Sequence, residues 1–145
     1  MFYKILRPFM YVAYKIFFRV TVFNKENLIQ DGKSIVVCNH LGKADVLVIG
    51  SIHKDKTIFL AKKEWYKNKF IAWLLKKLGS IPIDRDNPSL QSIKDGLKVL
   101  KDEKRLGIFP EGTRNKKDNS LQELKTGTAL FAIKGKAKIV PIIIH

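Results

Sequence analysis

The apolar residues of this chain fall into short continuous runs and longer periodic stretches that alternate along the sequence. The short runs are bounded by turn residues and predict strands; they cover residues 34–38, 57–61, 81–83, 106–109 and 139–144. Apolar residues spaced three or four apart predict helices; these cover residues 44–52, 65–78, 87–103 and 126–134. The alternation predicts an α/β fold, with a mixed, largely parallel sheet flanked by helices. Pro82 places the third strand at an edge or end of that sheet.

Residues 1–23 predict an amphipathic helical segment with basic and aromatic residues on opposite sides. At about 100° per residue, the basic side chains fall within one sector of roughly 120°; they are Lys4, Arg7, Lys15 and Arg19. The opposite side carries Phe2, Ile5, Leu6, Phe9, Ala13, Ile16, Phe17 and Val20. This pattern is typical of a helix lying in a membrane interface. We favour that interpretation over a helix packed on its own domain with its lysines outward. Pro8 predicts a kink or a division into two short helices.

The charge balance adds a preference for anionic partners. The 145 residues carry 28 Lys+Arg against 13 Asp+Glu, a formal net charge of +15. Such an excess favours phospholipid headgroups, nucleic acid or an acidic protein. No charge-free stretch near the N-terminus approaches the ~20 apolar residues of a spanning helix, so we expect peripheral contact with an anionic membrane surface. The single cysteine, Cys38, excludes an intrachain disulfide and a Cys-rich metal site.

Two polar segments follow predicted strands, which is where α/β folds place their sites. The first begins at Asn39 and places His40 five positions before Asp45. A turn into the next helix brings such a carboxylate beneath the imidazole, and the second ring nitrogen then accepts a hydroxyl proton. Taken alone, this spacing favours a structural pair over a catalytic one.

The second segment, Phe-Pro-Glu-Gly-Thr-Arg at residues 109–114, combines a glycine with a rigid cationic fork. Gly112 lets backbone N–H groups approach a ligand, and Arg114 is suited to a phosphate. Glu111 either binds a substrate hydroxyl or orients a neighbouring residue. Arg85, at the end of another predicted strand, is a second candidate for phosphate. The alternative is a polar surface turn without a ligand.

Together these segments resemble the 1-acyl-sn-glycerol-3-phosphate acyltransferase family. Its four motifs occur in order, as Asn-His-x4-Asp at 39–45, Ile-Pro-x-x-Arg at 81–85, Phe-Pro-Glu-Gly-Thr-Arg at 109–114 and Val-Pro at 140–141. The Lys-x-Gly that commonly follows the third motif is present at residues 125–127. Four ordered motifs favour a catalytic His40–Asp45 pair over a structural one. Family members usually continue for some tens of residues past the Val-Pro strand, so we expect residues 24–145 to form a catalytic domain that lacks its C-terminal part.

The resemblance implies transfer of a fatty acyl group from acyl-CoA or acyl-carrier protein to the free hydroxyl of a lysophospholipid. The favoured acceptor is 1-acylglycerol 3-phosphate, which gives phosphatidic acid. His40 is then the general base and Asp45 its partner. The implied substrate site consists of Asn39, Arg85, Glu111, Gly112, Thr113, Arg114 and Lys125. We expect no metal and no cofactor besides the acyl donor, and peripheral attachment to the cytoplasmic face of a membrane.

Three alternatives stay open from the sequence. Cys38 is a candidate nucleophile beside His40, although a buried structural cysteine is commoner. A non-catalytic basic membrane-binding protein, or an inactive fragment of such an enzyme, fits the charge but leaves His40, Asp45 and Glu111 unexplained. Acids at a binding surface also disfavour nucleic acid as a partner. A phosphate-ester hydrolase needs metal ligands or a covalent nucleophile, which we do not find in the sequence.

Overall fold

Strands and helices alternate through residues 2–28, 31–115 and 120–145, the parts of the chain that the computed structural model describes. The helices are α1 (Phe2–Phe18), α2 (Asp45–Ile52), α3 (Lys69–Leu78), α4 (Leu90–Lys101) and α5 (Gly127–Gly135). The strands are β1 (Ser34–Cys38), β2 (Thr57–Lys62), β3 (Ile81–Ile83), β4 (Arg105–Ile108) and β5 (Lys138–Ile142). Short 3-10 turns lie at Lys25–Asn27 and Lys63–Lys67.

The strands form one five-stranded sheet in the order β3-β2-β4-β1-β5. The four strand pairs of the described residues are all parallel, which confirms the predicted α/β class. β3 is an edge strand, as its Pro82 predicted. β1 and β4 are neighbours in the middle of the sheet. Because they run in the same direction, the loops that follow them meet at one edge.

The sheet buries an apolar cluster on each face, because successive strand residues point to opposite sides. Ile35 of β1 lies in the cluster that contains Leu100 of α4 and Phe131 of α5. Val36, the next residue, lies in the cluster that contains Ile49 of α2. α2 therefore covers one face of the sheet and α4 and α5 cover the other.

Some predicted boundaries shift for local reasons. α3 begins at Lys69 instead of residue 65, because the side chain of Asn68 accepts hydrogen bonds from N–H groups of the first turn, at 3.0 and 3.1 Å. α4 begins at Leu90 instead of residue 87, because Ser89 caps it in the same way. β4 ends at Ile108, one residue before the predicted end, and β5 ends two residues early, at 142.

α1 is one continuous helix with Pro8 inside it, so the predicted division does not occur. It packs on α2 through buried Tyr3 and Tyr14. Arg7, a member of the predicted basic sector, is half-buried and donates from Nε to the carbonyl oxygen of Ser51, at 3.0 Å, a contact that was not predicted from the sequence. Helical projection cannot reveal that acceptor, because it belongs to another helix.

The opposite side of α1 is apolar and exposed. At about 100° per residue, its four central positions fall within about 60° of one another; they are Ile5, Phe9, Val12 and Ile16, all exposed. Exposed Phe70 and Trp73 of α3 extend this apolar surface, and Phe2 of α1 contacts the Trp73 ring edge-on at 5.9 Å. Among the described residues, no helix combines the length and apolarity needed to cross a bilayer.

Candidate active site

The turn between β1 and α2 brings the predicted histidine and aspartate together. His40 follows β1, and Asp45 is the first residue of α2. His40 Nδ1 and Asp45 Oδ2 are 2.9 Å apart, and the two residues are only 7% and 6% exposed. The same carboxylate oxygen accepts hydrogen bonds from the backbone N–H groups of Leu41 and Gly42, both at 2.8 Å. The loop therefore closes around Asp45 Oδ2.

These contacts keep the Asp45 carboxylate ionised. Burial alone raises the pKa of Asp45, but the hydrogen bonds from His40, Gly42 and Leu41 together outweigh it and hold that pKa below its usual range. An ionised carboxylate carries no proton, so the hydrogen atom between the residues belongs to His40 Nδ1. A neutral imidazole in that tautomer has its lone pair on Nε2. The geometry thus prepares His40 to accept a proton at Nε2.

The loop after β4 holds His40 from three sides. Glu111 Oε1 accepts a hydrogen bond from the His40 backbone N–H at 3.0 Å, and the Asn115 N–H donates to the His40 carbonyl oxygen at 2.8 Å. The Phe109 ring stacks on the imidazole, with centroids 4.0 Å apart and planes 19° apart. Backbone and ring of His40 are therefore both fixed by residues about seventy positions away.

Two of these contacts were missed from the sequence. Phe109 was predicted as the last residue of a strand, and Asn115 lies one residue past the motif. The only signal for them in the sequence was their position at the start of, and just after, the motif at residues 109–114. Glu111 was predicted either to bind substrate or to orient a neighbour, and the structure places its buried carboxylate, 3% exposed, in the second arrangement.

A group of cations gathers around Gly112. The Arg85 guanidinium donates to the Gly112 carbonyl oxygen, and Lys125 Nζ donates to the Arg85 carbonyl oxygen at 3.3 Å. Burial first, and then the charge of Arg114, lower the pKa of Arg85. Gly112 has φ +67°, a backbone conformation that disfavours any larger residue, and an added Cβ would also lie only 3.0 Å from Lys125 Cε.

A cavity of ≈ 750 Å³ opens beside this group. Its polar lining includes Arg85, Glu111, Gly112 and Lys125, and its apolar lining comes from β2, β3, β4, α4 and α5. Exposed Thr113 and half-buried Arg114 are not among the described residues that line it. Most of the predicted substrate residues thus meet around one cavity. Lys125 also has an acidic partner that was not predicted from the sequence, because Asp86 Oδ1 lies 3.5 Å from its Nζ.

Asn39 occupies a different position from the one predicted. Its side-chain amide donates to the Ile144 carbonyl oxygen and accepts from the Ile144 N–H, both at 2.8 Å. The amide therefore imitates a strand backbone and continues the pairing of β1 with β5 past residue 142. Both polar groups of Asn39 are engaged by Ile144.

Cys38 does not have the environment of a nucleophile. It is buried, and burial, followed by the charges of Asp45 and Glu111, raises the pKa of its thiol to about 12. Because the thiolate is the reactive form, this environment suppresses attack by Cys38 at neutral pH.

Comparison with known proteins identifies relatives of this chain. The family described as "Acyltransferase" matches residues 19–145. The 1-acyl-sn-glycerol-3-phosphate acyltransferase of Bacillus subtilis (strain 168) is 43% identical over 123 residues, covering 84% of this chain and 60% of the relative. The enzyme of the same name from Streptococcus pneumoniae (strain ATCC BAA-255 / R6) is 38% identical over 115 residues, covering 78% of this chain and 42% of the relative.

A solved structure of another acyltransferase has the same fold as this chain. The crystal structure of the 1-acyl-sn-glycerophosphate (LPA) acyltransferase PlsC from Thermotoga maritima superimposes with a TM-score of 0.80 at 26% identity, covering 96% of this chain. The superimposed region makes up 56% of the Thermotoga maritima protein. The chain therefore spans about 40 to 60% of the length of these relatives.

Proposed function

Because the chain belongs to the acyltransferase family, we propose that it transfers a fatty acyl group from a thioester to the free hydroxyl of a lysophospholipid. The observation that carries this proposal is the buried His40–Asp45 pair, which leaves Nε2 ready for a substrate proton. The proposed acceptor is 1-acylglycerol 3-phosphate, giving phosphatidic acid, and the proposed donor is acyl-CoA or acyl-carrier protein. The names of the relatives support this acceptor.

In the proposed reaction, the acceptor hydroxyl attacks the thioester carbonyl carbon while His40 Nε2 removes the hydroxyl proton. Asp45 stabilises the resulting imidazolium through its hydrogen bond to Nδ1. The tetrahedral intermediate then collapses, the carbon–sulfur bond breaks, and the imidazolium returns its proton to the leaving thiolate. The products are an ester and a free thiol, and no acyl-enzyme forms.

Acceptor-dependent thiol release tests this function. The protein is mixed with acyl-CoA and a thiol reagent, and the rate is measured before and after addition of 1-acylglycerol 3-phosphate. The proposal predicts little release without acceptor and a large increase with it. A non-catalytic membrane-binding protein gives no release in either case. A thioesterase gives the same release in both, and either result excludes the proposed function.

The phosphate of the acceptor is proposed to bind near Arg85 and Arg114, with Lys125 beside them. These cations approach one another around Gly112 next to the cavity. Guanidinium groups bind phosphate by paired, charge-assisted hydrogen bonds. Such contacts hold the glycerol headgroup and thereby position its hydroxyl for attack.

Replacing either Arg85 or Arg114 with alanine is expected to impair phosphorylated acceptors selectively. A hydrogen bond to a charged group is worth roughly 1.5–3 kcal/mol, so kcat/KM for 1-acylglycerol 3-phosphate is expected to fall ~10- to 100-fold. The rate with 1-acylglycerol, which lacks the phosphate, is expected to change much less. Lysine at either position restores the lost rate only in part.

Steady-state kinetics with the two acceptors measure this difference. Lys101→Ala removes the same charge from the exposed end of α4 and serves as the control. Equal losses on both acceptors would assign these arginines a structural role instead.

We also propose that the protein attaches peripherally to the cytoplasmic face of a membrane, through the apolar side of α1 and the neighbouring aromatic residues of α3. The support is the exposure of Phe9 (69%), Ile16 (66%) and Phe70 (71%) on one side of the domain. The net charge of +15 favours anionic lipid. Exposed apolar surface of this kind is costly in water and is relieved by insertion among acyl chains.

Replacing Phe9 and Ile16 with serine is expected to weaken binding to anionic vesicles at least ~10-fold, because each buried apolar side chain contributes roughly 1.5–3 kcal/mol. Activity on a soluble short-chain acceptor is expected to persist, because both side chains point away from α2. Co-sedimentation at low and high salt measures the binding. Ile133→Ser, an equally exposed position on α5, is the control on the opposite face of the sheet. Unchanged binding by the Phe9/Ile16 variant would place the membrane contact elsewhere.

A further inference from the structure

α2 is a helix that depends on partners at its ends. It has eight residues, Asp45–Ile52, and its sequence is rich in β-branched residues and contains a glycine. Isolated helices shorter than ~12 residues are marginal, and these residue types lower helix propensity further. The last carbonyl groups of any helix also lack partners within it.

α1 supplies those partners. The Tyr3 hydroxyl donates to the Gly50 carbonyl oxygen and lies 3.2 Å from the His53 carbonyl oxygen. Arg7 Nε donates to the Ser51 carbonyl oxygen at 3.0 Å, which also places a positive charge at the negative end of the helix dipole. Burial raises the pKa of the Tyr3 phenol, so its hydroxyl stays protonated and remains a donor.

The other end of α2 is the catalytic pair. Asp45 is its first residue, and Asp45 Oδ2 accepts hydrogen bonds from His40 Nδ1 and from the backbone N–H groups of Leu41 and Gly42. At ~1.5 Å per residue, about 12 Å of helix separate the two ends. The axial position of α2 therefore determines where the carboxylate lies relative to the imidazole.

We propose that Tyr3 and Arg7 are positioning residues for the reaction, acting through α2 on Asp45. This inference rests on the proposed acyl transfer. α1 then has two separable roles, because one side of the helix is exposed and the other is packed on α2. The exposed side carries Phe9 and Ile16 toward lipid, whereas the buried side holds the catalytic helix in place.

Tyr3→Phe tests the proposal by removing one oxygen atom. With a soluble short-chain acceptor, kcat is expected to fall ~10-fold or more, since small displacements of catalytic groups are costly, while KM and vesicle binding stay unchanged. Tyr66→Phe makes the same chemical change away from α1 and α2, where it removes a hydroxyl that donates to the Ser80 carbonyl oxygen at 2.7 Å, and is expected to have no effect on kcat. Arg7→Ala behaves like Tyr3→Phe, and Arg7→Lys recovers part of the loss.

A double-mutant cycle separates positioning from general destabilisation. In an Asp45→Asn background, Tyr3→Phe is expected to cause little further loss, because the group on which it acts is already impaired. The same fold-loss in both backgrounds would overturn the proposal.

Amide hydrogen exchange supplies a readout that needs no activity. The Leu41 and Gly42 amides, which donate to Asp45, are expected to exchange faster in Tyr3→Phe than in the wild type or Tyr66→Phe. Unchanged exchange at both amides would show that Asp45 has not moved and would overturn the inference. Faster exchange in a protein that proves inactive in acyl transfer would uphold the positioning role and reject only the proposed function.

Discussion

Replacing His40 with alanine is expected to lower kcat for acyl transfer by at least ~10²–10⁴-fold, the usual contribution of a general base. A hydroxyl is a poor nucleophile until its proton is removed, and Nε2 is the acceptor that the Asp45 hydrogen bond leaves available. The measurement is single-turnover transfer from acyl-CoA to 1-acylglycerol 3-phosphate, which isolates the chemical step from product release.

The controls address folding and chemistry separately. His145→Ala removes an exposed histidine and is expected to leave the rate unchanged. Alanine at position 40 also removes a ring that stacks on Phe109, so its melting temperature must be compared with the wild type. His40→Asn keeps a donor near Asp45 but has no base, and it is expected to be as inactive as the alanine variant. A folded variant of either kind with near-normal kcat would refute the assignment of His40.

Asp45→Asn is expected to lower kcat by a similar factor. The corresponding change in the Ser-His-Asp triad of a serine protease lowers kcat ~10⁴-fold. The neutral amide no longer stabilises the imidazolium, although its carbonyl oxygen still accepts hydrogen bonds from Leu41 and Gly42. The fold should therefore persist while kcat falls. Asp102→Asn, at the exposed end of α4, supplies the matched control. Retained activity in Asp45→Asn would mean that the carboxylate is structural only.

The sequence was sufficient for most of the fold, because strand burial and helix amphipathicity leave periodic signals. β1 and β3 have the predicted bounds, and the edge position of β3 followed from Pro82, which cannot donate to a neighbouring strand. The His40–Asp45 contact was also predictable, since five residues of chain and a turn into α2 constrain both groups to one place. These features depend on residues close together in the chain, so they can be predicted from local sequence.

Contacts between distant segments were not predictable in the same way. The stacking of Phe109 on His40 and the Tyr3 and Arg7 contacts with α2 depend on how the elements pack. Helical projection placed Arg7 among the basic residues of α1 but could not reveal its acceptor, because the projection considers α1 alone. The amide of Asn39 was predicted to bind substrate from its place in the family motif, whereas its hydrogen bonds go to Ile144, 105 positions along the chain.

Tracing a labelled acyl group tests the central claim most directly. The protein is incubated with acyl-CoA labelled in the acyl carbonyl and with 1-acylglycerol 3-phosphate, and the label is divided among diacyl lipid, free fatty acid and protein. The account predicts that the label moves into phosphatidic acid, that none remains on protein at any time, and that His40→Ala abolishes the transfer. Label bound to Cys38, or label released as free fatty acid whether or not acceptor is present, would contradict direct transfer by the His40–Asp45 pair.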